Sequence, residues 1–267
     1  MEDLIRGLIK QEVSNTMDDD NTEQPNKERK PKWATSYSIM TTAQAEKRLG
    51  FRIRSVEVVP VDSMLANIKY RPGGKGLDIM LKTKERIYDN LVDYLVVEGY
   101  PTEGDSDFKE GNVNDLVYGI IGPVLASFIR ITGRKSIQLW REKEIISVDG
   151  ETGGTEEFVM VDLVSVTKER FVLIVEAKSS SLGQAMRQCL VAMKDMGDKN
   201  ADGGILYGFI TTGESWRMLQ YDGTSFKMTR KIEVLFEGMG EENEKETWMR
   251  DYSILVDCMY AAISERL

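Results

Sequence analysis

Three charged side chains at the ends of two apolar runs carry most of the chemistry that this sequence indicates. Asp162 follows a run of β-branched and other apolar residues, and Glu176 and Lys178 follow the next such run. Because the polar segment 167–170 separates the two runs, they predict a hairpin of adjacent strands. Glu176 and Lys178 then point to one face of the sheet, while Ala177 points to the other.

The carboxylates of Asp162 and Glu176 are expected to converge, because they lie at comparable distances from the predicted turn. Carboxylates among apolar residues are costly to bury unless a cation lies between them, and Mg²⁺ or Mn²⁺ suits oxygen ligands. Asp162 and Glu176 are therefore the predicted metal ligands, with the carbonyl oxygen of Ala177 as a third. Lys178 would position or deprotonate the attacking water. The alternative is that Asp162 only ends a strand and that Glu176 and Lys178 form an ordinary ion pair.

This pattern resembles the PD-(D/E)xK nuclease superfamily, which has the restriction-endonuclease-like fold. The resemblance rests on Asp162, on Glu176-Ala177-Lys178 at the end of an apolar strand, and on a following helix that contains Gln184 and Gln188. Met160-Val161 stands where the family name has a Pro before the Asp. The absence of that Pro is a departure from the pattern.

The resemblance covers about residues 110 to 230, and the segment 206–223 is similar to a strand pair of fungal and Crinkler-type effector nuclease domains. It implies a phosphodiesterase that depends on Mg²⁺ or Mn²⁺. It also implies that Gln188 contacts the active centre and that a carboxylate on the first core helix tunes the metal site. Asp115 is the preferred candidate for this carboxylate, and Glu110 is the alternative.

The composition excludes several other kinds of chemistry. The 267 residues include no His, which rules out a His general base, a Ser-His-Asp triad and a His metal ligand. Cys189 and Cys258 lie in apolar helical patterns and are predicted to be buried free thiols, as expected in a reducing compartment. No stretch is expected to be long and apolar enough to span a membrane, so the sequence predicts a soluble intracellular protein of the nucleus or cytoplasm.

Three regions are predicted along the chain. Residues 1–32 are polar and charge-dense and predict a disordered arm, residues 33–106 predict a partly helical extension, and residues 107–267 predict an α/β core. In the core, a helix, three strands, a crossover helix and a further strand predict a mixed sheet flanked by helices, as in the restriction-endonuclease-like fold. The extension is open to three roles: a lid, a surface for a second copy or a protein partner, or a helical addition.

Two functions from different classes remain after these observations. The first is a metal-dependent nuclease that hydrolyses DNA in preference to RNA. The second is a catalytically weak nuclease-fold module that binds nucleic acid or protein. The net charge of −9 restricts any contact with nucleic acid to a local groove, because phosphate contacts need Lys and Arg.

Overall fold

A mixed sheet flanked by helices on both faces organises this protein, for which we analysed a computed structural model that describes residues 32–66, 73–101, 108–165, 168–179, 181–200 and 203–265. The α/β class predicted from the sequence is confirmed. Residues 32–267 form one compact unit. Of the predicted arm, only Lys32 is among the described residues.

The described part of the sheet has nine strands. They are β1 (Thr35–Ser36), β2 (Glu57–Val59), β3 (Ile137–Ile146), β4 (Thr152–Leu163), β5 (Glu169–Ala177), β6 (Leu206–Thr211), β7 (Ser215–Tyr221), β8 (Phe226–Thr229) and β9 (Ile232–Glu233). Their order is β1-β4-β5-β6-β7-β8-β2, with β3 paired to β4 and β9 paired to β7. β5 is antiparallel to β4 and parallel to β6, so it occupies the centre of the sheet.

Seven α-helices are described, and the long ones cover the two faces of the sheet. They are α1 (Thr42–Leu49), α2 (Val61–Ala66), α3 (Lys75–Glu98), α4 (Glu110–Thr132), α5 (Leu182–Lys199), α6 (Glu244–Thr247) and α7 (Ile254–Ser264). α3, α4 and α7 bury their apolar residues in one core cluster, and α1 and α5 contribute to the cluster on the other face. α5 is the crossover between the parallel strands β5 and β6. The helical segment at the end of the described chain is irregular, because a π-helix, Trp248–Tyr252, precedes α7.

α4 is continuous through Pro123, although a proline inside a helix commonly kinks or breaks it. Proline has no backbone N–H, so Pro123 cannot donate the usual helical hydrogen bond to Gly119 O. Asn90 Nδ2 on α3 donates to this oxygen instead, at 3.4 Å. The neighbouring helix therefore supplies a replacement donor at the position where Pro123 would otherwise leave a carbonyl unpaired.

α4 is also long and apolar enough to cross a membrane, by length and composition alone. The expectation that no stretch would reach this limit is therefore wrong. Half of its most apolar window is buried inside the protein, and core helices commonly pass the same test. Val113, Leu116, Ile120 and Phe128 all lie in the core that α4 shares with the sheet.

The segment before α1 is anchored to the core by a buried carboxylate. Asp195 on α5 is fully buried, and its Oδ2 accepts hydrogen bonds from Tyr37 Oη at 2.8 Å and Thr152 Oγ1 at 2.5 Å. Its Oδ1 accepts from Arg48 Nη2 at 2.7 Å. Burial and the charge of Asp195 raise the pKa of Tyr37 well above its usual value. The start of the predicted extension is thus built into the same unit as the core.

Candidate active site

The register of the β4–β5 hairpin places Asp162 and Glu176 at opposite ends. Asp162 lies opposite Arg170, whereas Phe158 lies opposite Val175, next to Glu176. Arg170 and Glu176 are six positions apart, and at the usual rise per strand residue this distance is about 20 Å. The prediction that Asp162 and Glu176 converge on one metal ion is therefore wrong.

The error comes from the position of the turn. Val164 N donates to Lys168 O at 2.9 Å, so the chain reverses between these residues, and Glu169 and Arg170 already belong to β5. The sequence prediction placed Glu169 and Arg170 in the turn. When a turn lies nearer the N-terminus by a given number of residues, each residue of the second strand pairs with a residue about twice that number of positions earlier on the first strand. The partner of Glu176 is therefore different from the one predicted.

Asp162 instead forms a buried ion pair near the turn. Its carboxylate is bound by Arg134, which precedes β3, and only 5 % of Asp162 is exposed. Ile137 lies opposite Asp162 on β3. The Arg134–Asp162 pair holds the start of β3 against the end of β4, so the role of Asp162 is structural.

Glu157 takes the place near Glu176 that the sequence assigned to Asp162. It directly precedes Phe158, the partner of Val175. Ala177 N donates to Glu157 Oε2 at 3.2 Å, and Lys178 Nζ lies 3.2 Å from Glu157 Oε1. Both oxygens of this carboxyl group therefore contact the end of β5.

Lys178 is the centre of the cluster. Its Nζ lies 2.8 Å from Glu176 Oε1 on the same strand and 2.8 Å from Glu110 Oε1 in the first turn of α4. With Glu157, three carboxyl groups from three elements contact one ammonium group. Burial alone would lower the pKa of Lys178, but Glu176, Glu110 and Glu157 raise it on balance, so the ammonium stays charged.

The carboxylate of the first core helix is Glu110 and not Asp115. Asp115 is exposed on α4, where it lines a surface groove together with Asn90 and Tyr94 of α3. Five residues of helix separate it from Glu110, which is about 7.5 Å along the axis. The preference for Asp115 is therefore corrected in favour of the alternative that was kept open.

A fourth carboxyl group, Glu156, lies behind the cluster. Glu156 and Glu176 are both fully buried, and their carboxyl groups are close enough to share a hydrogen bond. Burial, reinforced by the charge of Glu176, raises the pKa of Glu156 well above its usual value. Burial likewise raises the pKa of Glu176, against the opposing effects of Glu156 and Lys178. Burial therefore favours a proton shared between these two carboxyl groups.

Glu157 and Glu110 form a second proton-sharing pair. Burial and the hydrogen bond to Glu110 raise the pKa of Glu157 to about 9. Burial acts to raise the pKa of Glu110 as well, but Glu157 and Lys178 lower it on balance. In the metal-free protein at neutral pH, Glu157 is therefore the protonated partner and Glu110 the ionised one.

α5 covers the site from one face of the sheet. Gln188 is buried, and its Oε1 has no hydrogen-bond partner among the described residues. The next residue, Cys189, has a thiol whose pKa is raised by burial and by the nearby charges of Glu156 and Glu176. Gln188 is thus on the turn of α5 that faces the carboxyl pair. The described cysteines, Cys189 and Cys258, are buried free thiols, as predicted.

The donor set suits a hard cation, but the metal site is not preformed. Among the described residues, no three carboxylate or thiol side chains are arranged to hold a metal ion. Lys178 Nζ occupies the point on which Glu110, Glu157 and Glu176 converge. Both oxygens of Glu156 have no hydrogen-bond donor among the described residues apart from a proton shared with Glu176. Buried carboxylate oxygens of this kind need either a proton or a cation, and oxygen is the ligand that Mg²⁺ and Mn²⁺ prefer.

A weak signal for Glu157 was present in the sequence. Glu156 and Glu157 lie in β4 directly before its apolar run, which extends from Phe158 to Val161. Adjacent residues of a regular strand point to opposite faces, so one of two successive acids in a strand covered on both faces must point into a core, which is costly and indicates a local requirement. The pair at the start of that run, and not Asp162 at its end, carries the acid that reaches Glu176 and Lys178.

No protein-family model matches the chain, and the curated proteins searched include no significant match to it.

Proposed function

We propose that the protein is a metal-dependent nuclease with a restriction-endonuclease-like fold, and that it hydrolyses phosphodiester bonds of DNA in preference to RNA. The observation that carries this proposal is the contact of Lys178 Nζ with Glu110, Glu157 and Glu176 at 2.8–3.2 Å. The element order α4-β3-β4-β5-α5-β6 supports it, because this order brings an acid from the first helix to the end of the central strand.

The side chains would have two roles: carboxylates would bind the metal ion, and Lys178 would position the attacking water. Glu176 and Glu157 would hold Mg²⁺ or Mn²⁺, and Glu110 would hold it directly or through water. The bound ion would polarise the phosphodiester and acidify a water molecule. Lys178 would move away from the carboxylates towards the reacting phosphate, where its ammonium orients the attacking water and stabilises the developing charge. Glu156 and Gln188 would support Glu176 from behind.

A specific observation favours the second function, a nuclease-fold module that binds without cutting. The carboxyl groups around Lys178 are partly neutralised by the proton on Glu157 and by that ammonium, and none of the described residues forms a ready metal site. A cluster of this kind is stable without a metal ion. The two functions therefore differ in whether a divalent cation displaces Lys178.

Cleavage assays with a matched pair of variants test the proposal. Purified protein is incubated with Mg²⁺ or Mn²⁺ and with single- and double-stranded DNA and RNA of one sequence. Glu176→Gln should lower the rate by about two orders of magnitude or more, the scale of one essential site group. Glu169→Gln is the control, because Glu169 lies on the same strand but pairs with Lys143 at the other end. Absence of metal-dependent cleavage by the wild type, or equal rates in the two variants, would contradict the nuclease function and favour the binding module.

A further inference from the structure

A pocket of about 390 Å³ opens directly beside the carboxylate cluster. Ser179, the residue after Lys178, forms part of its wall, together with the first turn of α5 and the neighbouring ends of β6 and β7. Its volume is in the range of small-ligand sites, ~300–1,000 Å³. A ligand in this pocket would therefore touch the residue that follows the central lysine.

The pocket combines an apolar surface with polar groups. Met186, Ile210 and Met228 contribute apolar side chains, and Ser181, Thr212 and Ser215 contribute hydroxyl groups. A planar aromatic base fits an apolar wall, whereas sugar and phosphate oxygens need hydrogen-bond donors. The lining thus matches both parts of a nucleotide.

The charges of the pocket match one phosphate group. Arg217 and Lys231 line it, and neither forms an ion pair among the described residues. Arg217 Nη1 donates to Thr229 O at 2.9 Å, which holds the guanidinium in place, and burial lowers the pKa of Arg217 without a carboxylate to oppose it. Glu214 also lines the pocket and accepts a hydrogen bond from Tyr100 Oη at 2.9 Å. Two cations and one carboxylate leave a net charge that balances one phosphodiester.

We infer that this pocket binds one unpaired nucleotide of the substrate strand, with its phosphate at Arg217 and Lys231 and its base against Met186 and Met228. This inference rests on the proposed function, since it names the part of the substrate that lies beside the scissile bond. A base inside a duplex is stacked and paired and cannot enter such a pocket without leaving the helix. The substrate is therefore a single strand or a frayed end, in preference to an intact duplex.

Metal-free binding measurements test the inference independently of cleavage. Calorimetry in EDTA compares thymidine 5′-monophosphate, thymidine and inorganic phosphate. The nucleotide should bind more tightly than either fragment. Arg217→Ala and Lys231→Ala should each weaken nucleotide binding by about tenfold, the effect of removing a charge-assisted hydrogen bond. Glu214→Gln should strengthen binding, because it removes a repelling charge while keeping an acceptor for Tyr100.

Arg230→Ala is the matched control, because Arg230 is exposed next to Lys231 but does not line the pocket. It should leave binding unchanged. Lys231 is exposed, so Lys231→Ala remains informative if Arg217→Ala fails to fold. Lack of nucleotide binding, or equal loss in Lys231→Ala and Arg230→Ala, would overturn the inference.

An oligonucleotide should also bind more tightly as a single strand than as a duplex of the same sequence, and equal binding would overturn the preference for an unpaired base. Nucleotide binding without any cleavage would instead support the nucleotide pocket and contradict the proposed nuclease activity.

Discussion

Lys178 Nζ lies 2.8 Å from Glu110 Oε1, although the two residues are 68 positions apart in the sequence. This contact joins the first turn of α4 to the end of β5. Glu157 and Glu176 complete the group around the same ammonium. The chemistry of the site therefore depends on whether Lys178 stays with these carboxylates or gives way to a metal ion.

Replacing Lys178 separates the two roles of the cluster. Lys178→Met keeps a long side chain but removes the charge, so binding of Mn²⁺ should be retained or strengthened. Cleavage should fall by about two orders of magnitude or more, because one positioned catalytic group is lost. Calorimetry and a cleavage assay measure the two effects. Lys194→Met, which breaks only an ion pair within α5, serves as the control. Loss of metal binding in Lys178→Met would contradict the assigned role.

The stability of the metal-free protein should depend on pH through Glu157. Its pKa is raised from 4.5 to about 9 in the folded state, so the folded protein holds a proton that the unfolded chain releases. This contribution is complete below about pH 4.5 and is lost as pH rises through about 9. Melting temperatures between pH 5 and 9.5 should fall more steeply for the wild type than for Glu157→Gln. Parallel curves would show that Glu157 is ionised in the folded state.

Metal binding should release protons at neutral pH. A divalent cation needs ionised carboxylates, whereas Glu157 is protonated in the metal-free protein. Calorimetry of Mg²⁺ binding in buffers with different ionisation enthalpies measures the number of protons released. The wild type should release about one proton more than Glu157→Gln, and its metal affinity should rise with pH. An equal release by both proteins would place the exchanged proton elsewhere.

Glu156 should tolerate a neutral replacement of the same shape. Burial raises the pKa of Glu156 and so favours its protonated form in the folded state, for which Gln is the closest substitute. Glu156→Gln should keep the melting temperature near the wild-type value at acidic pH and raise it above the wild-type value as pH increases, because the amide does not have to take up a proton on folding. Glu156→Leu removes the hydrogen bond to Glu176 and should destabilise the protein. Thermal unfolding of both variants measures this, and a large loss in Glu156→Gln at pH 7 would mean that Glu156 is ionised.

Local patterns in the sequence predict the elements well. Apolar periodicity is typical of α3, α4 and α5, and the residue types of Thr41 and Gly50 suit the two ends of α1. Contacts between distant elements are not visible in such patterns. The donor from Asn90 that allows α4 to continue through Pro123 is one example. The approach of Glu110 to Lys178 is another.

The candidate site was predicted in part. Glu176 and Lys178 lie close together, as their spacing at the end of the apolar strand predicted, and Gln188 is buried on the next helix. Asp162 does not lie near them, because its position depends on the register of the hairpin and hence on the location of a turn that contains no Gly or Pro to mark it. The register depends on contacts that are distant in the sequence. An error of a few residues in the predicted register led to the choice of Asp162 in place of Glu157.

The most direct test of the account compares Glu157→Gln with Asp162→Asn. Both changes replace a carboxylate on β4 with its amide. Rates of Mn²⁺-dependent DNA cleavage, measured below the melting temperature of each variant, should fall by about two orders of magnitude or more in Glu157→Gln. Asp162→Asn should keep the wild-type rate but lower the free energy of unfolding by about 1–3 kcal/mol, because it weakens the pair with Arg134. Loss of cleavage in a folded Asp162→Asn, with Glu157→Gln fully active, would contradict the site described here.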